Sequence, residues 1–98
     1  MHLYEIKVDF YPHEFFPQKY EGHVLTRGRI TFESARMFWR EYWELEGIKM
    51  SYVPIPLLVE VGSEPPYEKG YFILDRGEIK EEDIDEYEET LIDMSDRY

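Results

Sequence analysis

The start of the chain alternates apolar and charged residues, and this alternation constrains the fold more than any other feature. The alternating residues are Tyr4, Glu5, Ile6, Lys7, Val8, Asp9 and Phe10. Successive side chains of a strand point to opposite faces, so the pattern predicts a strand over residues 3–11 with one buried face. Pro12 ends this strand because proline cannot donate a hydrogen bond to a neighbouring strand.

A second strand and a helix are predicted to follow. Residues 22–30 alternate again, and they predict a strand antiparallel to the first, joined to it by a loop at residues 12–20. Over residues 32–46, apolar side chains recur at spacings of three and four, which predicts an amphipathic helix with Thr31 as its N-cap. Gly47 is suited to end this helix in the left-handed conformation. The recurring side chains are Phe32, Ala35, Trp39, Tyr42 and Trp43.

The second half of the chain predicts further strands and a second helix. Pro54 and Pro56 interrupt an apolar stretch, which indicates either two short strands at 48–53 and 57–61 or one bulged edge strand. Residues 71–74 are all apolar and predict a strand buried on both faces. A second helix is predicted over residues 83–95 from an apolar stripe at helical spacing. That stripe consists of Ile84, Tyr87, Leu91 and Met94.

These elements predict an α+β fold that forms one domain over residues 1–98. The expected order is ββαββα, with a mainly antiparallel sheet of four or five strands and both helices packed on one face. A β-grasp-like arrangement and two swapped ββα halves both satisfy this order. The 98 residues are enough for one small core, and they leave little room for a deep active site.

The charge of the chain is high and unevenly distributed. The formal net charge is −11, and residues 78–96 hold ten acidic residues against Lys80 alone. Such a field repels nucleic acid and anionic membranes and attracts basic surfaces, so direct nucleic-acid binding is not expected. The chain also has no cysteine, no Asn and a single Gln, a composition typical of proteins from hot environments. We expect a soluble, cytoplasmic protein, because no segment has the pattern of a secretion signal or a membrane span.

Nothing in the sequence predicts an enzyme, a cofactor or a metal. His13 and His23, with Glu14 and Glu21 beside them, could assemble a metal site at the end of the first hairpin. Their spacing matches no ligand motif, so exposed histidines are the preferred interpretation. No glycine-rich phosphate loop and no serine in a nucleophile motif is present.

The strongest indication of function is the acidic second helix. Its apolar stripe can dock on the sheet while its carboxylates, spaced along a rigid element, imitate a row of phosphates. The predicted function is therefore a non-enzymatic module that binds or inhibits a basic, nucleic-acid-handling protein by occupying its groove. Tyr67, Tyr87 and Tyr98 could add a surface on which a partner stacks. The predicted partner-binding acids are Glu81, Glu82, Asp85, Glu86, Glu88, Glu89 and Asp93.

Phe15 and Phe16 lie in a proline-bounded loop, and the sequence leaves two roles open for them. They can be exposed anchors for a partner, or they can form a hydrophobic lid over the core. In size and charge alone the chain resembles small virus-encoded inhibitors, including DNA mimics and many anti-CRISPR proteins; no motif supports assigning it to a family. The alternative function is a small accessory or structural subunit that forms a homodimer or complex through edge strands and exposed aromatic residues.

Overall fold

The computed structural model describes residues 1–10, 14, 16–48 and 54–98, and it contains a single five-stranded sheet in this part of the chain. The first three elements are β1 (His2–Asp9), β2 (Lys19–Thr26) and α1 (Ala35–Leu45). The remaining elements are β3 (Leu57–Val59), β4 (Gly70–Glu78), a 3-10 helix (Glu81–Tyr87) and β5 (Leu91–Asp93).

The sheet is mixed, with the strand order β3-β4-β1-β2-β5. Central β1 is antiparallel to both β2 and β4, whereas the edge strands β3 and β5 are parallel to β4 and β2. The fold is therefore α+β as predicted, but the prediction of a mainly antiparallel sheet is wrong. Parallel neighbours need a crossover connection of roughly a dozen residues. Residues 60–69 supply this connection between β3 and β4, and residues 79–90 carry the chain from β4 past β1 and β2 to β5.

Helix α1 covers one face of the sheet, which we call the near face. The apolar side chains of α1, three and four residues apart, form one face that packs against Tyr4 and Ile6 of β1, as predicted. Gly47 has φ 84° and follows the helix end, which confirms its predicted role. Phe32 does not belong to this face: the helix begins at Ala35, and the Phe32 side chain is 79% exposed. The buried residues of α1 are Ala35, Phe38, Trp39, Tyr42 and Trp43.

Strand β4 is buried on both faces, as the run at residues 71–74 predicts. Ile73 belongs to the core under α1, whereas Phe72 and Leu74 pack with Val59 in a second cluster on the opposite face. We call this opposite face the far face. On the neighbouring β1 and β2 it carries Glu5 and His23, which lie opposite each other in the register.

The predicted acidic α-helix over residues 83–95 is wrong, and the ββαββα order is not confirmed. The chain forms a 3-10 helix, a turn and the short strand β5 instead. Like charges four residues apart destabilise an α-helix, and Glu82 and Glu86 form such a pair, as do Glu81 and Asp85. Pairing of residues 91–93 with β2 satisfies backbone groups that a continued helix would have bonded internally.

The two helices do not share a face of the sheet. The ring of Tyr87 in the 3-10 helix lies 4.6 Å from the ring of His23, a far-face residue. The chain after β4 therefore crosses the far face to reach the outer side of β2. None of the helices in the described ranges is long and apolar enough to cross a membrane.

Several predicted strand boundaries differ from the structure. Strand β1 ends at Asp9, because Phe10 has φ 61° and its side chain turns out, 48% exposed. Strand β2 occupies Lys19–Thr26 and not residues 22–30, and residues 27–30 leave the sheet. The predicted strand at 57–61 is confirmed as the shorter β3, while the strand at 48–53 falls almost wholly outside the described residues.

Candidate functional site

The acidic residues predicted to bind a partner are exposed in the structure. Residues 81–89, hereafter the acidic segment, comprise the 3-10 helix and the turn after it. Across the described part of the chain, no Lys, Arg or His side chain forms an ion pair with any acid of this segment; the ion pairs there involve Glu5, Glu41, Asp75 and Asp96. The exposed predicted residues of the segment are Glu81, Glu82, Asp85, Glu86, Glu88 and Glu89.

Asp93 is exposed but lies apart from the acidic segment, on β5. One of its carboxylate oxygens accepts hydrogen bonds from the Ser95 hydroxyl at 2.6 Å and from the Ser95 amide at 2.9 Å. These bonds favour the charged carboxylate and lower the pKa of Asp93. The carboxylate therefore stabilises the turn at the end of the chain.

Of the two roles that the sequence leaves open, an exposed anchor or a lid over the core, Phe16 has the second. Its side chain is only 5% exposed, and its ring lies 4.7 Å from that of Trp43 in an edge-to-face arrangement. Phe15 lies outside the described residues. Of the aromatic pair, the described member therefore stabilises α1 against the sheet and offers no surface to a partner.

The acidic segment is attached to the sheet at both ends. It follows β4 directly, and at its other end the His23 amide donates to the Thr90 carbonyl at 3.0 Å. His23 Nδ1 also lies 2.9 Å from Thr90 Oγ1. Tyr87 packs its ring against the imidazole of the same histidine. The segment is thus held on a folded scaffold at both of its ends.

A cleft of about 550 Å³ lies between the 3-10 helix and the far face. Leu3 and Ile79 supply apolar surface, and His23 and Tyr87 supply aromatic surface. Its charged groups come from the two strands below and from the chain above. They are Glu5, Arg76, Glu78, Lys80, Asp83 and Glu86.

Glu5 and Arg76 neutralise each other within this cleft. The Arg76 Nη2 and Nε atoms donate to the same Glu5 oxygen at 2.9 and 3.1 Å. Arg29 leaves the sheet after β2, and its Nε atom lies 3.5 Å from Asp75.

Burial disfavours the charged form of His23, and its contact with Thr90 admits either neutral tautomer. Burial lowers the pKa of His23, and Arg76 lowers it further, against the opposing effects of Glu5 and Glu21. The Thr90 hydroxyl lies 3.3 Å from the Tyr87 carbonyl oxygen; when it donates there, Thr90 Oγ1 can accept from His23 Nδ1–H. In that tautomer the Nε2 atom carries the lone pair, 3.9 Å from Glu5 Oε1.

Sequence reasoning missed the cleft, although it placed Leu3, Glu5 and His23 on the correct strands; Arg76 and Glu78 lie on β4, beyond the strand predicted at 71–74. The alternation puts Glu5 on the far face, and the antiparallel register then sets His23 opposite it. The missing information was the path of residues 79–90 across that face. An α-helix packed on the near face would leave His23 and Glu5 uncovered.

A second buried polar pair joins β1 to β4 on the near face. His2 Nε2 lies 2.5 Å from Asp75 Oδ1, and the Gly77 amide donates to the same oxygen at 2.9 Å. The Arg29 side chain approaches the other oxygen of Asp75. Because both members are buried and hydrogen-bonded, the pair fixes the alignment of the two strands beside the bulge at residues 3 and 4.

The described residues contain no cluster of three or more His, Asp or Glu side chains arranged to hold a metal ion. His13, one of the two histidines considered for such a site, is outside them. No family model, curated protein or solved structure matches the chain. Inferences about function therefore rest on the acidic segment and the cleft beneath it.

Proposed function

We propose that the protein is a non-enzymatic binding module that occupies or inhibits a basic surface of a nucleic-acid-handling protein. The single observation that carries the proposal is the acidic segment: six of its seven acidic residues are exposed, and none forms an ion pair with the described residues. Unpaired carboxylates of one sign on one element strongly attract a cationic surface. An acidic surface used only for solubility would not require this concentration on a single element.

The linear charge density of the acidic segment supports imitation of nucleic acid. The 3-10 helix carries five acids in seven residues. At roughly 2.0 Å rise per residue, these acids give one negative charge per about 3 Å. One strand of duplex DNA carries one charge per about 3.4 Å. A groove built to bind a phosphate row therefore meets charges at a similar spacing.

The attachment of the segment to the sheet also supports the proposal. Binding a flexible acidic tail costs the entropy of ordering it, whereas a segment held on a scaffold is already ordered. Strands β4 and β5 hold the two ends of this segment, and His23 contacts Tyr87 within it and Thr90 directly after it. We expect fast association that weakens steeply with salt, since exposed charges are screened within about 8 Å at physiological ionic strength.

Charge reversal tests the proposal. Changing Glu82, Asp85, Glu86 and Glu89 to Lys should abolish binding to the basic partner that the wild-type protein captures. Four exposed charge pairs at about 0.5 kcal/mol each contribute about 2 kcal/mol, so we expect affinity to fall by at least about 30-fold.

A matched control separates the location of the charges from their total. Glu33, Glu44, Glu64 and Glu68 are exposed and lie outside the acidic segment. Their reversal to Lys changes the net charge by the same amount and should leave the affinity within a few-fold of wild type. Circular dichroism on both variants checks that the fold is retained. Equal loss in the two variants, or unchanged affinity in the first, would contradict the proposal.

The edge strand β3 favours a second candidate, a homodimer or accessory subunit assembled through apolar contacts. Ile55, Leu57 and Val61 around this edge are exposed, Ile55 by 64%. Association through them should persist at high salt, because apolar burial is not screened. Sedimentation at low and high salt separates the candidates: a protein that stays monomeric at both rules out the homodimer, and a partner lost at high salt rules out an apolar complex.

A further inference from the structure

We propose that the cleft between the 3-10 helix and the far face binds a guanidinium group, supplied by an arginine side chain of the basic partner. The inference rests on the proposed function for the nature of the partner. The walls of the cleft, their charge and the position of His23 favour a guanidinium.

The cleft has the size and the surfaces of a side-chain pocket. Its volume of about 550 Å³ lies within the range of roughly 300–1,000 Å³ that is common for ligand sites. Leu3 and Ile79 can contact the methylene groups of an arginine side chain. The Tyr87 ring, which already packs against His23, offers an aromatic face on which a planar cation stacks.

The charges left in the cleft favour a cation. Arg76 is paired with Glu5. The other charged groups of the cleft are three acids, Glu78, Asp83 and Glu86, and one base, the exposed Lys80. Asp83 and Glu86 are three residues apart on the 3-10 helix, so they lie on the same side of it. Two neighbouring carboxylates match the several N–H donors of a guanidinium, which can bond both at once.

His23 supplies a hydrogen-bond acceptor inside the cleft. In the tautomer whose Nδ1–H donates to Thr90, the neutral ring presents the lone pair of Nε2 to a donor. The side chain is 18% exposed, and Nε2 has no donor within hydrogen-bond distance among the described residues. A guanidinium stacked beside Tyr87 can donate to this nitrogen, whereas a lysine ammonium lacks the planar group needed to stack and donate together.

The test uses N-acetyl-arginine amide as the probe and N-acetyl-lysine amide as its matched control. Both are titrated into the isotopically labelled full chain at constant ionic strength, and amide chemical shifts are followed by NMR. The arginine probe should produce saturable shifts centred on His23, Ile79 and Tyr87. We expect it to bind at least about threefold more tightly than the lysine probe. Equal binding of the two probes, or shifts spread over the exposed acids without saturation, would overturn the inference.

Variants locate the site within the cleft. Tyr87→Leu keeps an apolar side chain but removes the stacking ring, and it should reduce binding of the arginine probe to the level of the lysine probe. Tyr67→Leu changes an exposed tyrosine outside this cleft and should leave binding unchanged. If Tyr87→Leu fails to fold, Glu86→Gln is the milder variant to use, and it should weaken binding of the arginine probe several-fold. Unchanged binding in a folded Tyr87→Leu variant would also overturn the inference.

The outcome is distinguishable from failure of the proposed function. If the arginine probe shows no specific binding while charge reversal of the acidic segment still abolishes capture of the partner, the cleft inference is wrong and the proposed function remains. If charge reversal has no effect on capture, the proposed function is wrong, whatever the probe does.

Discussion

His23 Nδ1 lies 2.9 Å from Thr90 Oγ1, and this contact joins the second strand of the sheet to the end of the acidic segment. The same threonine hydroxyl donates to the carbonyl of Tyr87, whose ring packs against the histidine. These contacts link the position of the acidic segment to the orientation of the Tyr87 ring above the cleft. The position at which residues 79–90 reach β2 therefore determines which groups line the cleft.

Replacing Thr90 with Val should loosen this end of the segment. The variant loses the hydrogen bond to His23 with little change in volume, so we expect a loss of about 0.5–1.5 kcal/mol in the free energy of unfolding. Denaturant titration measures that loss, and hydrogen exchange should show faster exchange at Leu91–Asp93 than in β1. Faster exchange throughout the sheet would instead show that Thr90 affects global stability alone.

Stability should fall as the pH drops through the titration of His23. Burial holds the pKa of His23 below its ordinary value, so the unfolded chain binds a proton more readily than the folded protein does. The contribution of His23 to the free energy of unfolding is therefore complete above a pH of about 6.5. It decreases below that pH until the histidine of the folded protein is protonated too. NMR titration of the His23 ring should give a pKa below 6.5. A His23→Gln variant should flatten the pH dependence of unfolding, and an unchanged slope would contradict this account.

Gly22→Ala should be strongly destabilising. A β-carbon at Gly22 would collide with the Tyr42 hydroxyl and come within 2.9 Å of the Tyr20 ring. The Tyr20 and Tyr42 hydroxyls are hydrogen-bonded to each other at 2.6 Å, so neither side chain can move away without losing this bond. We expect a cost of about 1–3 kcal/mol. Gly28→Ala is the control: nothing lies within 4 Å of its β-carbon, and its melting temperature should stay near that of the wild type.

Alkaline pH should unfold the protein through its buried tyrosines. Burial raises the pKa of Tyr4 and of Tyr42, and the Tyr42 side chain on α1 is fully buried. A group whose pKa is raised on folding stabilises the protein below its unfolded pKa and withdraws that stability as the pH rises above about 10. Absorbance at the tyrosinate band should show these groups ionising only in a cooperative step that coincides with loss of structure. Gradual ionisation with the fold intact would contradict their burial.

The first half of the fold was predictable because its patterns are local. The period of two at Tyr4, Ile6 and Val8, and the spacing of Ala35, Trp39 and Tyr42, each describe one buried face of one element. Burial of that face then determines which side of the strand or helix meets the core. The error at Phe32 arose because an apolar residue at the right spacing was assigned to a helix that begins three residues later.

The second half was less predictable because its order depends on long-range pairing. Leu91 and Met94 satisfy helical spacing, yet residues 91–93 pair with β2, and Met94 reaches the core from the end of a strand. Exposure of the acidic segment follows from its composition. The cleft does not, because it forms only where the crossing chain meets Glu5 and His23. No local sequence pattern encodes this long-range contact.

Competition with duplex DNA tests the central claim most directly. A labelled duplex is bound to the basic partner that the protein captures, and the unlabelled protein is then added at about 100 mM salt. If the acidic segment takes the place of phosphates, the protein should displace the DNA completely, and its apparent affinity should fall steeply as the salt concentration is raised. A ternary complex in which DNA and this protein bind the partner together would contradict the account.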